Sequence, residues 1–192
     1  LHLREDVRAV SPYEVTRGRR VGLLWASPDC RHHSVAKGSK PRDNEVRFLA
    51  WTAIDWAKAV RPKVIILENV PEFVNWGPLD QEGRIIKERV GETFGEFRRE
   101  LYALGYAVEW SVLNAADYGA PTSRRRLFVV ARCDGLPIRW PEATHGPGLL
   151  PYRTAAECID WSIPTPSIFL RKRPLAEKTM RRIARGIRKF VV

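Results

Sequence analysis

Cysteine is scarce in this chain, with three residues in 192, an odd number without close pairing. That excludes a disulfide framework and points to a reducing compartment. Long hydrophobic runs are also missing: no apolar stretch approaches the roughly 20 residues that cross a bilayer as a helix. No charged-then-apolar signal peptide opens the chain. The first residue is Leu rather than Met, as in a fragment or a processed product. Metal-ligating clusters are lacking too. His32 and His33 sit beside Cys30, but no second Cys or His group lies nearby to complete a site, so the reading is no metal.

Acid is short relative to base. Asp and Glu number 22 against 33 Lys and Arg, a formal net charge of +11. The excess suits a polyanionic partner, nucleic acid first, or a surface kept basic for solubility. Apolar residues make up 44% of the chain, enough for one core and one domain.

The chain is organised around Val21 to Ser34. Val21 to Ala26 reads as a buried strand that stops at Ser27-Pro28, because proline cannot donate to a sheet ladder. Cys30 follows on the loop, where open α/β sheets place ligands. A second apolar run, Val64 to Leu67, ends in Glu68, Asn69, Val70 and Pro71. Its continuity suits a strand buried on both faces. Between the two, Val46 to Val60 carries apolar residues at helical spacing. Strand, helix and strand predict a parallel pair with a right-handed crossover, which sets Cys30 and Glu68 on one edge of the sheet.

Phe94, Phe97, Leu101 and Leu104 mark a helix stopped by Gly105. Tyr106 to Leu113 and Arg126 to Arg132 read as an antiparallel hairpin at the sheet edge. Residues 71–91 read as an irregular insertion, and Leu1 to Val10 as a short strand and turn. Ser11-Pro12 starts a brief helical turn ending near Gly18. A second segment, 141–192, is separated from residues 1–140. It holds a Pro/Gly-rich stretch, a short helix over Thr154–Trp161 and a final helix from Pro174 to Val192. That last helix has a stripe of Met180, Ile183, Ala184, Ile187 and Val191 against five basic residues. It can lie on DNA or carry an ordinary solvated face.

Three stretches in order resemble one family. Ser27-Pro28-Asp29-Cys30 is similar to the nucleophile motif of DNA (cytosine-5)-methyltransferases, particularly their phage-like branch. Glu68-Asn69-Val70 is similar to their Glu-Asn-Val motif, and Tyr118 to Arg126 to their arginine motif. The chain departs at Asp29 and Arg31, where the family usually has proline and glutamine around the cysteine, and at Thr122, where a glutamine usually opens the arginine motif.

The resemblance implies an α/β, partial Rossmann-like methyltransferase fold, with parallel strands and an antiparallel hairpin at one edge. It implies transfer of a methyl group from S-adenosylmethionine to carbon 5 of a cytosine flipped out of double-stranded DNA, in a restriction-modification setting. The expected location is the cytoplasm of a bacterium, from a bacterial or phage gene. Cys30 would be the nucleophile, Glu68 the acid at ring nitrogen 3, Arg126 the donor to the ring carbonyl, and Arg124 a support for the site or a phosphate. Asp6 matches the acidic residue that meets the cofactor adenine, Pro28 the loop beside the cofactor, and Leu49 a cofactor contact. A solvated turn carboxylate describes Asp6 as well, and a core position describes Leu49.

The loop Arg31 to Asn44, with Lys37, Lys40 and Arg42, suits phosphate contacts. No glycine-rich cofactor turn precedes Cys30, so the chain resembles a methyltransferase core with both ends cut. The Val21–Ala26 strand is then expected at an open edge, which favours self-association or a second polypeptide carrying the cofactor half. A catalytically defunct DNA-binding remnant and an RNA cytosine methyltransferase are the other functions compatible with these motifs.

Overall fold

The computed structural model describes residues 3–30, 48–164 and 167–190. They form two compact units, Leu1–Thr154 and Ala155–Val192. The polar loop after Cys30, with His32, His33, Lys37, Lys40 and Arg42, lies outside the described residues.

In the first unit, helix α1 spans Pro12–Thr16 and strand β1 Leu23–Ala26. Helix α2 spans Thr52–Val60, behind a 3-10 turn at Phe48–Trp51, and strand β2 spans Val64–Asn69. Helix α3 covers Glu92–Ala103, and the hairpin is β3, Ala107–Asn114, with β4, Arg125–Arg132. The sheet order is β1-β2-β4-β3. β1 and β2 are parallel, with Ala26 opposite Leu67, while β2–β4 and β3–β4 are antiparallel. The predicted α/β fold with a parallel pair and an antiparallel hairpin at one edge is therefore present, and among the described residues β1 is the opposite edge. Pairing reaches slightly beyond β1: the Val21 and Gly22 carbonyls accept from Lys63 and Val64 N–H.

Alternation along β2 decides what each face does. Ile65, Leu67 and Asn69 are buried, whereas Val64, Ile66 and Glu68 are partly exposed. The buried face meets α2 through Ala53, Ile54 and Ala57, and α3 through Phe97 and Leu101. The opposite face carries Trp25, Ile66, Phe128 and Val130, with Trp25 edge-on to Phe128 at 6.3 Å between ring centroids. Part of it is crossed by residues 138–141, which Trp140 ties to β3 by donating its indole N–H to Glu109 Oε2 at 2.9 Å.

The segment 71–91 is largely irregular, as expected, but its first residues belong to the core. Pro71–Asn75 forms a 3-10 turn that drives Phe73 and Trp76 into the core at 0% and 1% exposure. Phe73 stacks against Trp76, Phe94 and Phe97 at centroid distances of 5.2, 5.8 and 6.3 Å. Trp51 adds contacts to Trp76 and Phe97 at 5.8 and 5.7 Å. The chain can turn this tightly only because Gly77 has no side chain: a Cβ there would lie 2.2 Å from the Arg89 carbonyl oxygen. Gly77→Ala is expected to cost about 1–3 kcal/mol in urea unfolding, since the clash is with backbone rather than a movable side chain.

Two expectations change. No strand forms at residues 3–10. Val7–Ala9 is instead a 3-10 turn capped by Asp6, whose carboxylate accepts the Arg8 N–H, and this exposed stretch meets no ladder. The helix expected over Thr154–Trp161 shrinks to a 3-10 turn at Ala155–Cys158. Asp160 Oδ1 takes the Ser162 N–H and hydroxyl, an Asx turn that competes with helix continuation.

The second unit is dominated by helix α4, Glu177–Phe190. Among the described residues no helix is long and apolar enough to cross a membrane.

Candidate functional site

The parallel register ends with Ala26 beside Leu67, so the segments that begin at Ser27 and Glu68 leave the same end of the sheet. Asn69 fastens this corner. It is 2% exposed, its Nδ2 donates to the Pro28 carbonyl at 3.2 Å, and its Oδ1 accepts the Val70 N–H at 2.9 Å. A buried amide with both ends satisfied is rigid, because releasing either leaves an unpaired polar atom. Cys30 follows two residues later, half-buried, with a free thiol.

Glu68 points to the other face of β2. Arg126 and Glu68 form an ion pair, with Nε 2.9 Å from Oε1 and the two side chains 20% and 24% exposed. The antiparallel register explains the pairing: Glu68 lies opposite Phe128, and Arg126 is two residues along on the same face. Arg126 Nη1 donates to the Arg125 carbonyl at 2.7 Å. Among the described residues, Oε2 of Glu68 has no hydrogen-bond partner. Arg124 is exposed just before β4, and with Arg126, Leu113, Tyr118, Phe128 and Pro141 it walls a cleft of about 220 Å³. Glu68, Arg126 and Arg124 thus gather at the sheet end from which the Cys30 loop departs.

A family profile described as C-5 cytosine-specific DNA methylase matches residues 2–157. The chain belongs to that family. It is 28% identical over 166 residues to the type II methyltransferase M.AquIA of Picosynechococcus sp., covering 80% of this chain and 63% of the relative. It is 33% identical over 159 residues to M.BspRI of Lysinibacillus sphaericus, covering 81% of this chain and 33% of the relative. The chain therefore spans between a third and two thirds of these two methyltransferases. In fold it is similar to the crystal structure of Spodoptera frugiperda DNMT2, with a TM-score of 0.55 at 19% identity, covering 84% of this chain and 46% of that one.

Two of the residues matched to the methylase family's cofactor contacts come together in a second cleft, of about 410 Å³. Pro28 and Leu49 wall it with Trp25, Trp56, Thr52 and Val7, among others. That volume is within the range of small-molecule sites. Asp6 adjoins Val7 in sequence, but its carboxylate is already engaged. Arg8 gives its backbone N–H and Nε to Oδ1 at 2.9 and 3.0 Å, and its Nη2 to Oδ2 at 2.6 Å. The Arg8 side-chain hydrogen bonds hold the Asp6 carboxyl at about 2, well below its ordinary 3.8.

Two contributions were not visible in the methylase motifs. One is the ion pair that Arg126, read from sequence as a ring donor, makes with Glu68. The other is Asp117. Its Oδ1 accepts from Asn114 Nδ2 at 3.0 Å and from the Tyr152 hydroxyl at 3.1 Å. Its carbonyl accepts the Thr144 and His145 N–H groups at 2.8 and 3.0 Å. These bonds strap residues 144–152 to the turn that delivers Arg124. The turn needs Gly119: it has φ +83°, and a Cβ there would lie 2.7 Å from His145 Cε1. Asn114 and Asp117 are recognisable as turn chemistry, but nothing in their spacing reveals Tyr152.

Proposed function

We propose that this chain supplies the nucleophile and the proton-handling carboxyl of a DNA cytosine-5 methyl transfer. The observation that carries the reading is the Glu68–Arg126 pair, set at the sheet end where the Asn69-tethered Cys30 loop begins.

Cytosine carbon 5 is a weak nucleophile. The Cys30 thiolate adds to carbon 6, and the ring π pair shifts to make carbon 5 electron-rich. Glu68, entering as the carboxylic acid with its proton on Oε2, passes that proton to ring nitrogen 3 as the adduct forms and takes it back when the thiolate leaves. Arg126, anchored on Oε1, keeps the carboxyl from swinging away and turns its remaining N–H groups to the ring carbonyl. Carbon 5 takes a methyl group, loses its proton, and the thiolate departs, so the net change is a methyl gained and a proton released. S-adenosylmethionine, the donor used by the family, supplies that methyl as a sulfonium substituent. Inside a duplex the ring is out of reach, so the base is extruded first. Arg124, exposed beside the same cleft, supports the site or a flanking phosphate.

The 410 Å³ cleft fits one end of the donor. Trp56, Leu49, Val7 and Pro28 offer apolar walls to a flat heterocycle. Asp6 reaches its amino group only if Arg8 gives way, because both carboxylate oxygens are occupied. The described residues offer no glycine-rich turn for the amino-acid end. We propose that the chain associates through the free edge of β1, which can take a strand from a second copy or another polypeptide. Light scattering should then show association at working concentration, and a clean monomer counts against it. The cytoplasm, with its DNA, is the setting we assign.

The test needs no donor. Reversible addition at carbon 6 lets the hydrogen on carbon 5 exchange with solvent, so the chain should place deuterium at carbon 5 in duplex DNA. No exchange in DNA that the chain demonstrably binds would leave a non-catalytic remnant. Faster exchange in tRNA than in duplex DNA would transfer the proposal to RNA. Arg126→Met should slow exchange by up to about 100-fold while leaving the fold intact, because an unanchored carboxyl loses its aim.

A further inference from the structure

We propose that the cationic face of α4 is a phosphate-binding surface for duplex nucleic acid, working independently of the cytosine chemistry. Residues 155–192 hold nine Lys and Arg against three Asp and Glu, so this fifth of the chain carries +6 of its +11. Within α4 the distribution is sharper. At about 100° per residue, Lys178, Arg181, Arg182, Arg185, Arg188 and Lys189 all fall within an arc of about 120°. Met180, Ile183, Ala184 and Ile187 occupy the opposite side. The helix holds a single acid, Glu177, at the margin of the basic arc and paired with Arg181.

The structure fixes which side is offered. The apolar side faces Ile168 and Phe169 across a cleft of about 450 Å³. Lys178, Arg181, Arg182 and Arg185, with Glu177, line a separate concavity of about 420 Å³, and all five are exposed. From Lys178 to Lys189 the row is about 16 Å long at 1.5 Å per residue. That matches the axial rise of about five phosphates on one strand. Both the charge density and its length therefore suit a nucleic-acid backbone. An anionic membrane is the competing surface, but helices that lie in membranes present Trp, Phe or Leu on the buried side. Here that side is Met180, Ile183, Ala184 and Ile187, with Phe190 joining them by spacing; it holds no Trp or Leu, and Ile168 and Phe169 lie against part of it.

A cytosine-free dA·dT duplex separates this surface from the catalytic reading. The full chain is compared with its Arg182→Gln/Arg185→Gln variant by fluorescence anisotropy over a range of salt. Glutamine keeps helix propensity, and far-UV circular dichroism confirms that α4 persists. The variant should bind at least about tenfold more weakly at low salt, with the slope of log K against log salt shallower by about 2. The same charge removed elsewhere, in Lys87→Gln/Arg99→Gln, should leave the slope near that of the unmodified chain. An unchanged slope in the α4 variant overturns the proposal. So does an equal loss in both variants, which would mean net charge alone drives binding. A variant that loses phosphatidylserine vesicles but keeps the duplex overturns it as well, in favour of a lipid surface.

Discussion

Replacing Cys30 by serine abolishes exchange of the carbon 5 hydrogen in duplex DNA, with a fall of at least about 1,000-fold, the scale on which enzymes lose rate when a covalent nucleophile is removed. The substitution changes one atom, and the root of the loop is held by Asn69 through the Pro28 carbonyl rather than by the thiol. Unfolding midpoints of the two proteins should therefore coincide. The same variant should form no denaturant-resistant adduct with a 5-fluorocytosine duplex. Serine fails because its hydroxyl does not ionise at neutral pH, whereas a thiol does so partially. Residual exchange equal to that of the unmodified chain would move the nucleophile to Cys133 or Cys158, the other free thiols. Cys133 is the less suited of these, since its Sγ already faces the Pro62 carbonyl at 3.4 Å beside the buried Tyr106 hydroxyl.

Phe73→Ala should be the most damaging single change to stability. The ring is 0% exposed and touches three other aromatic side chains. Emptying such a site costs about 3–5 kcal/mol, a large share of the 5–15 kcal/mol that typically holds a domain together. In urea the midpoint should fall by more than about 1 M. Phe73→Leu should recover most of the loss, because it refills the volume and forfeits only ring geometry. A cost below about 1 kcal/mol for the alanine variant would mean that the 71–76 turn lies loosely on the core.

The sheet was legible because its strands are written in composition. Val64 to Leu67 is apolar throughout, and Pro28 and Pro71 mark where the loops begin. The same marks put Cys30 and Glu68 on a common edge. What stayed hidden depends on contacts between distant segments. Phe73 and Trp76 follow a proline at no regular spacing, so no periodicity identifies them as core until α3 supplies Phe94 and Phe97. The Glu68–Arg126 pair requires the β2–β4 register, which is set by a hairpin of 26 residues, Ala107 to Arg132. Hydrophobic pattern gives the strands of that hairpin but not their stagger. Asp6 was read for its position in a motif, and only the local geometry shows Arg8 occupying both its oxygens.

Glu68 and Asn69 are consecutive, so the pleat sends them to opposite sides of one strand, acid outward and amide inward. Point replacements elsewhere in β2 leave that polarity alone. A single codon lost or gained between Val64 and Leu67 would invert it, burying a carboxylate among the helices and turning a neutral amide toward the guanidinium of Arg126. This strand can therefore drift in spelling over generations but not in length.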